Sequence, residues 1–446
     1  MSLQIIWDFS KVDCGCGREH SVSLSHAVIE SGAIEKIPTY IHKFNGKKAF
    51  LIADPNTFSA AGEKVCAVLE SNNIAYEKYV FPTGCIEPDE AAVGSAVMHF
   101  DKTCDLVIGI GSGVINDVGK ILASVAGVPY FIVGTAPSMD GYASATSSMT
   151  MDGVKISLPS KCPDVIIGDI DILKNAPVKM LKAGFGDMLA KYISLAEWRI
   201  SHEITGEYYC ERVAELIREA LRQCVNNAAG LLRREEAAVK AVFEGLVIGG
   251  AAMSFAKVSR PASGVEHYIS HIWDMRSLEF GTKHELHGIQ CAVATATVAG
   301  IYERLVTASP DKEAALAYVN SFSYDEWAKT LKSFLGKGAD AMIALEKTEQ
   351  KYDPVKHRER LDTIIERWGR ICDIIREEIP PKKEIERLLD LIDAPKLPSG
   401  IGLGDDIKTV FFATKDIRDK YVLSRLLWDL GLLDDLASGI DFTKNL

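Results

Sequence analysis

The hydrophobic rhythm of the chain changes once. From Lys47 to about Asp169, short apolar runs rich in β-branched residues alternate with longer stretches whose apolar positions recur at helical spacing, the pattern of a parallel sheet flanked by helices. Strands are predicted at Ala49–Ala53, Tyr76–Phe81, Leu106–Ile110 and Tyr130–Val133, and helices at Phe58–Ser71, Glu87–Phe100 and Val114–Ala126. Ser147–Met151 and Val154–Leu158 flank Asp152-Gly153, which takes the positive φ angles of a two-residue turn, so they read as an antiparallel hairpin appended to the sheet. After Asp169 the strand pattern stops, Asp171–Pro177 reads as a connection, and the rest reads as helices. Leu361, Ile364, Ile365, Trp368, Ile371 and Ile375, separated by Arg and Glu, form the packing stripe of one of them. The expectation is an α/β domain over residues 1–175 and an all-α domain over residues 176–446. No internal repeat is visible.

Composition narrows the function classes. A hydrophobic fraction of 47 % and a charged fraction of 25 % describe an ordinary globular chain. A net charge of −11 with no clustered Lys and Arg argues against a nucleic-acid partner. The start Met1-Ser2-Leu3-Gln4-Ile5-Ile6-Trp7-Asp8 lacks a basic, apolar leader, and no apolar run is expected to reach the roughly 18 residues of a membrane span, so no membrane partner and a cytoplasmic location are expected. The 10 cysteines lie mostly singly in apolar stretches and are expected to be reduced. Cys14-Gly15-Cys16-Gly17, with His20 following, has no second Cys/His pair at zinc-site spacing and reads as a tight turn with two idle thiols.

Leu106–Lys120 is a buried strand running into Gly109, Gly111 and Gly113 and then into a helix. Such turns let backbone N–H groups approach a pyrophosphate at the positive end of the helix, and they also occur as plain strand-to-helix corners. The spacing is neither G-x-G-x-x-G nor the nucleotide-hydrolase P-loop. Asp54 directly follows a strand, where a carboxylate accepts from ribose hydroxyls and disfavours a 2′-phosphate; it is equally competent as a helix cap. Gly184–Tyr192 places Asp187 at a helix start with Lys191 one turn later, Arg260–His271 carries His267 and His271, and Lys283–Gly288 carries His284 and His287. One carboxylate and two neutral imidazoles make a reasonable divalent-metal site.

The ordered set of glycine turn, Thr135-Ala136-Pro137-Ser138-Met139-Asp140-Gly141-Tyr142-Ala143-Ser144, Gly186-Asp187, Arg260-Pro261-Ala262-Ser263-Gly264-Val265-Glu266-His267 and His287-Gly288 resembles the sn-glycerol-1-phosphate dehydrogenase family, closest to its bacterial AraM-like branch. That family lies within the iron-alcohol dehydrogenase, glycerol dehydrogenase and dehydroquinate synthase superfamily. The resemblance implies a dehydroquinate synthase-like fold: a Rossmann-like dinucleotide-binding α/β domain, a helical metal- and substrate-binding domain, and an active site in the cleft between domains. It implies Asp187, His267 and His287 as metal ligands, for zinc first, with nickel or iron as alternatives. It implies Asp140, Asp187 and His271 as substrate contacts. For the dinucleotide it implies Asp54, Gly113, Val114, Ile115, Asn116, Asp117, Thr135, Ala136, Pro137, Ser138 and Ser144. His284 matches no family role.

The implied reaction is hydride transfer between NAD(P)H and dihydroxyacetone phosphate, with His271 moving the proton and Asp140 orienting the substrate or the nicotinamide. NAD is favoured over NADP through Asp54. Arg260 or Lys191 is the candidate phosphate partner, and a pairing of Arg260 with an acidic neighbour is the equal alternative. The partner is a small phosphorylated three-carbon molecule, and the apolar C-terminal helix faces suggest a homo-oligomer of two or more copies. The rival readings are a glycerol or other polyol dehydrogenase and, from another class, a dehydroquinate synthase-like lyase.

Overall fold

The computed structural model describes residues 3–9, 11 and 14–438. They form two compact units: Met1–Met188 with Arg212–Val258, and Leu189–Glu211 with Ser259–Leu446.

The first unit is built on a parallel six-stranded sheet of β1 (His26–Glu30), β2 (Lys48–Ala53), β3 (Ala75–Val80), β4 (Leu106–Gly111), β5 (Tyr130–Gly134) and β8 (Val165–Asp169), in the order β1-β8-β5-β4-β2-β3. The central strands β4, β5 and β8 are buried along their whole length, as expected for a sheet covered on both faces. All four predicted strands are present within a residue or so. The edge strand β1 and its inner neighbour β8 are beyond the sequence-based expectation: their registry, His26 to Val165 through Glu30 to Asp169, joins segments nearly 140 positions apart in the chain, and neither shows enough alternation alone. β6 (Thr146–Met151) and β7 (Val154–Pro159) form the predicted hairpin, with φ of 52° at Asp152 and 76° at Gly153. It makes a separate two-stranded sheet and is not bonded to the main one. The predicted Phe58–Ser71 helix is regular only over Glu63–Ser71, and Pro55–Gly62 winds in short irregular turns.

The helices used below are α1 (Gly113–Ala126), α2 (Val178–Leu189), α3 (Lys191–Thr205), α4 (Glu236–Ala256), α5 (Val265–Phe280) and α6 (His287–Leu305). Among the described residues α4 is an exception to the reading that no apolar run reaches membrane length: over 18 of its 21 residues the mean hydropathy is 1.5, and 78 % of that stretch is buried. Its burial is local, since Phe243 packs edge-on to Tyr142 at 4.8 Å and covers Gly134 and Gly168 of β5 and β8.

Among its described residues the second unit is entirely helical, and no strand follows Asp169 anywhere in the described chain. Its core includes Trp198, Ile269, Ile272, Trp273 and the inner face of α6. The stripe from Leu361 to Ile375 is a packing face as expected, but it spans two helices, Pro354–Glu366 and Trp368–Glu378, which break at Arg367. Leu361, Ile364, Ile371 and Ile375 are its buried members.

Candidate active site

In the sheet unit, β4 ends in Gly111 and α1 begins at Gly113, and the side chain of Ser112 between them does not cap the helix. The N-terminal N–H groups of α1 therefore remain a natural seat for an anion. The Thr135–Ser138 loop lies alongside: Thr135 N–H donates to the Gly111 carbonyl at 3.0 Å, and the Ser112 and Ser138 hydroxyls are 2.5 Å apart. Gly113, Val114, Asp117 and Ser138 are partly exposed, whereas Ile115, Asn116, Thr135, Ala136, Pro137 and Ser144 are buried.

Asn116 and Lys120, a fully buried cation, share the Gly141 carbonyl as an acceptor. Its Nζ donates to the carbonyls of Thr146 (2.7 Å) and Gly141 (3.3 Å) and to Ser144 Oγ (3.2 Å), and pairs with Asp117 Oδ1 at 3.0 Å. Asn116 Nδ2 also donates to Gly141 O, at 3.1 Å. Lys120 thus ties the first turns of α1 to the segment that carries Asp140. The sequence signal for it was only its position, one residue past Gly119 on a helix otherwise apolar on that side. Asp54 stands at the end of β2 as expected, and in this structure its Oδ1 caps the following turn, accepting from Asn56 N–H at 2.8 Å and Thr57 N–H at 3.0 Å.

Asp187 lies in the last turn of α2 and Lys191 opens α3, so the predicted helix start at Asp187 is corrected. Gly184 serves packing. A Cβ on Gly184 would lie 1.8 Å from the Pro137 carbonyl oxygen, so only glycine lets α2 approach the Thr135–Ser138 loop this closely. One turn further on, the buried Asp187 accepts from the Asp140 N–H at 2.9 Å. Asp140 and Asp187 are thereby brought together beside Ser138.

In the helical unit α5 and α6 bring three imidazoles together. The ring centroids of His267 and His287 are 5.1 Å apart, those of His271 and His287 are 5.7 Å apart and stacked, and those of His267 and His271 are 6.4 Å apart. Each ligand candidate is oriented from behind. His267 Nδ1 donates to the buried Glu266 Oε1 at 2.7 Å, which leaves Nε2 as the basic nitrogen. The Ser270 hydroxyl donates to Gln290 Oε1 at 2.6 Å and so accepts from His287 Nδ1 at 2.8 Å, again leaving Nε2 basic. Carboxylate and hydroxyl partners of this kind are what metal-binding histidines use to fix tautomer and ring angle. Cys291, one turn after His287 on α6, places its sulfur 3.6 Å from His287 Nε2, and the donor atoms of His267, His287 and Cys291 lie within 4.8 Å of one another. These donors fit a divalent ion.

Glu266, Ser270, Gln290 and Cys291 were not predicted; the i, i+4 relation of Cys291 to His287 was the one available signal. Behind Glu266 lies a second buried carboxylate, Glu197, which accepts from Val265 N–H (2.9 Å), Leu423 N–H (2.8 Å) and Tyr302 Oη (3.0 Å). Burial, and then the neighbouring Glu266, push Glu197 up to about 8. His284 lies 3.5 Å from Asp274.

Arg260 takes the acidic-pair alternative. Its guanidinium is buried and donates to Glu207 Oε1 (2.7 Å), the Tyr421 carbonyl (2.8 Å) and Ser201 Oγ (3.1 Å), while Lys191 Nζ donates to the Ala262 carbonyl at 3.0 Å. Arg260 borders a cavity of about 360 Å³ that is also lined by Lys351, Arg360, Lys415, Lys420 and Arg425.

Residues 28–177 match the family model described as iron-containing alcohol dehydrogenase. A glycerol-1-phosphate dehydrogenase (NAD(P)+) of Halalkalibacterium halodurans is 30 % identical over 400 residues, covering 89 % of this chain and 90 % of the relative. The enzyme of the same name from Bacillus subtilis is 32 % identical over 287 residues, covering 64 % of this chain and 73 % of the relative. Among solved structures, glycerol dehydrogenase from Schizosaccharomyces pombe matches with a TM-score of 0.60 at 14 % identity, covering 95 % of this chain and 92 % of that one. An iron-containing alcohol dehydrogenase from Thermococcus thioreducens matches with a TM-score of 0.61 at 11 % identity, covering 95 % and 100 %. At these identities the structural matches speak to the fold alone.

Proposed function

The chain belongs to the glycerol-1-phosphate dehydrogenase family, and from that premise we propose that it reduces dihydroxyacetone phosphate to sn-glycerol 1-phosphate with NAD(P)H, reversibly and with one divalent metal ion. The observation that carries the reading is the pair of imidazoles on α5 and α6 whose Nδ1 atoms are engaged by Glu266 and Ser270, leaving both Nε2 atoms as donors to a cation. Asp187, His267 and His287 would hold that ion, zinc first and nickel or iron as alternatives. When bound, it supplies Lewis-acid stabilisation of negative charge on the substrate oxygen, worth roughly several kcal/mol.

The division of labour proposed is a dinucleotide-binding region over residues 1–175 and a metal- and substrate-binding region over residues 176–446. The α1 N-terminus cradles the pyrophosphate, with Gly113–Asp117, Thr135–Ser138 and Ser144 shaping the pocket and Asp54 accepting from the adenosine ribose, which favours NAD. Asp140, held by its N–H to Asp187, orients the substrate hydroxyl or the nicotinamide. His271 exchanges the proton with the substrate oxygen, since an imidazole serves as acid or base near neutral pH. Arg260 is already committed to Glu207, so the substrate phosphate falls to other cations. A homo-oligomer remains part of the reading, from the apolar C-terminal helix faces.

The test is reduction of dihydroxyacetone phosphate by NADH and by NADPH, after metal stripping and after adding back zinc, nickel or iron. The stripped protein is expected to be inactive and one ion to restore it, with NADH the better donor. Equal turnover of glycerol and glycerol 1-phosphate would overturn the phosphate specificity. Turnover of a phosphorylated substrate without net NADH consumption would overturn the dehydrogenase itself.

A further inference from the structure

The Cys14–His20 segment brings two thiols and an imidazole together. Left-handed φ angles of 69° at Gly15 and 79° at Gly17 fold it so that both thiols face one imidazole: Cys14 Sγ lies 3.0 Å and Cys16 Sγ 3.3 Å from His20 Nε2. The three donor atoms lie within 4.8 Å of one another. A tetrahedral zinc with ordinary Zn–S and Zn–N bonds sets N···S edges of about 3.6 Å, so an outward movement of a few tenths of an ångström admits the ion.

His20 is buried, 4 % exposed, and its Nδ1 donates to the Phe255 carbonyl at 3.0 Å, which fixes the tautomer and turns the basic Nε2 toward the sulfurs. The ring stands edge-on to Phe9 at 5.2 Å, Phe9 stacks on Phe255 at 4.6 Å, and the Arg212 guanidinium lies 4.1 Å from the centre of the Phe9 ring. Arg18 adds a bond to the Ala256 carbonyl at 2.7 Å. The imidazole is thus held rigidly at the C-terminal end of α4, inside the sheet unit.

Residues 14–25 have no regular secondary structure. Ordering such a segment costs about 1–2 kcal/mol per residue, a cost that an ion bound by two sulfurs and an imidazole would offset. Two thiolates and one imidazole form a soft donor set that selects zinc over the hard divalent cations.

We propose that Cys14, Cys16 and His20 hold a structural zinc ion that fastens the N-terminal segment to the end of α4. The two thiols lose their protons on binding, and a further thiol or a water fills the fourth position. The site is separate from the one proposed for catalysis.

The test uses full-length protein carrying Asp187→Ala and His267→Ala, which empties the catalytic site. After desalting, plasma mass spectrometry is expected to find one zinc per chain, falling at least tenfold when Cys14→Ser and Cys16→Ser are added. Should the added substitutions prevent folding, cobalt replacement in the Asp187→Ala, His267→Ala protein decides: thiolate-to-cobalt charge-transfer absorption is expected. Absence of both retained zinc and that absorption overturns the proposal. So does rapid reaction of both thiols with a disulfide reagent in the zinc-replete chain.

Discussion

Asp140 and Asp187 in the sheet unit meet because two stretches of backbone come as close as backbone can, at Gly184 and Pro137. His267 and His287 in the helical unit are aimed instead by buried polar partners, Glu266 with Glu197 behind it, and Ser270 with Gln290. The first arrangement is set mainly by shape. The second depends on charge and protonation, and tolerates changes of shape only where the hydrogen bonds survive. Substitutions in the two regions should therefore fail in different observables.

The largest expected effect treats both alike. Asp187→Ala or His267→Ala should remove the catalytic metal and lower turnover by on the order of 10³ or more, the loss of several kcal/mol of transition-state stabilisation. Metal content and initial rate are measured together, and full activity in a metal-free variant would sink the mechanism.

Gly184→Ala isolates shape. The added methyl must push Pro137 aside, costing about 1–3 kcal/mol of stability by overpacking and raising the dinucleotide KM through the Thr135–Ser138 loop. Metal content should not change; urea denaturation and steady-state kinetics read both.

Glu266→Gln isolates charge. Volume and hydrogen bonding are kept, so stability should hold while affinity for the catalytic ion falls about 10–100-fold in a chelator competition. An unchanged affinity would mean that the carboxylate charge behind His267 is irrelevant.

The smallest effect concerns pH. Burial, with Glu266 adding to it, raises Glu197 from 4.5 to about 8 in the folded protein, so the folded state binds a proton that the unfolded state has lost. This contribution is complete below pH 4.5 and disappears as the pH rises through about 8. Glu197→Gln should flatten that decline in thermal midpoint; an unaltered slope would assign it elsewhere.

The same contrast explains what could be read in advance. The glycine turn, the strands β2 to β5 and the Asp152-Gly153 hairpin follow from local rules, because strand, turn and helix start are adjacent in the chain, whereas the meeting of Asp140 with Asp187, 47 positions on, does not. Even there Asp187 was misplaced to a helix start, since Gly184 and Gly186 look like helix breakers until the approach to Pro137 is known. The charge-built region was legible only as isolated histidines. Glu197 is 69 positions from Glu266, and Ser270 is 17 from His287, so no local pattern couples them. The same holds for β1 and β8, and for Cys14 and Cys16, whose partner His20 takes its orientation from Phe255, more than 230 positions away.

α4 carries a final consequence. By length and composition alone, this segment resembles a membrane span. Synthesis order removes the hazard: all eight strands leave the ribosome before Glu236, at about 5–20 residues per second, so the surface that receives Phe243 can exist before α4 emerges. A rearranged chain in which α4 was made ahead of β1 would forfeit that protection during its birth.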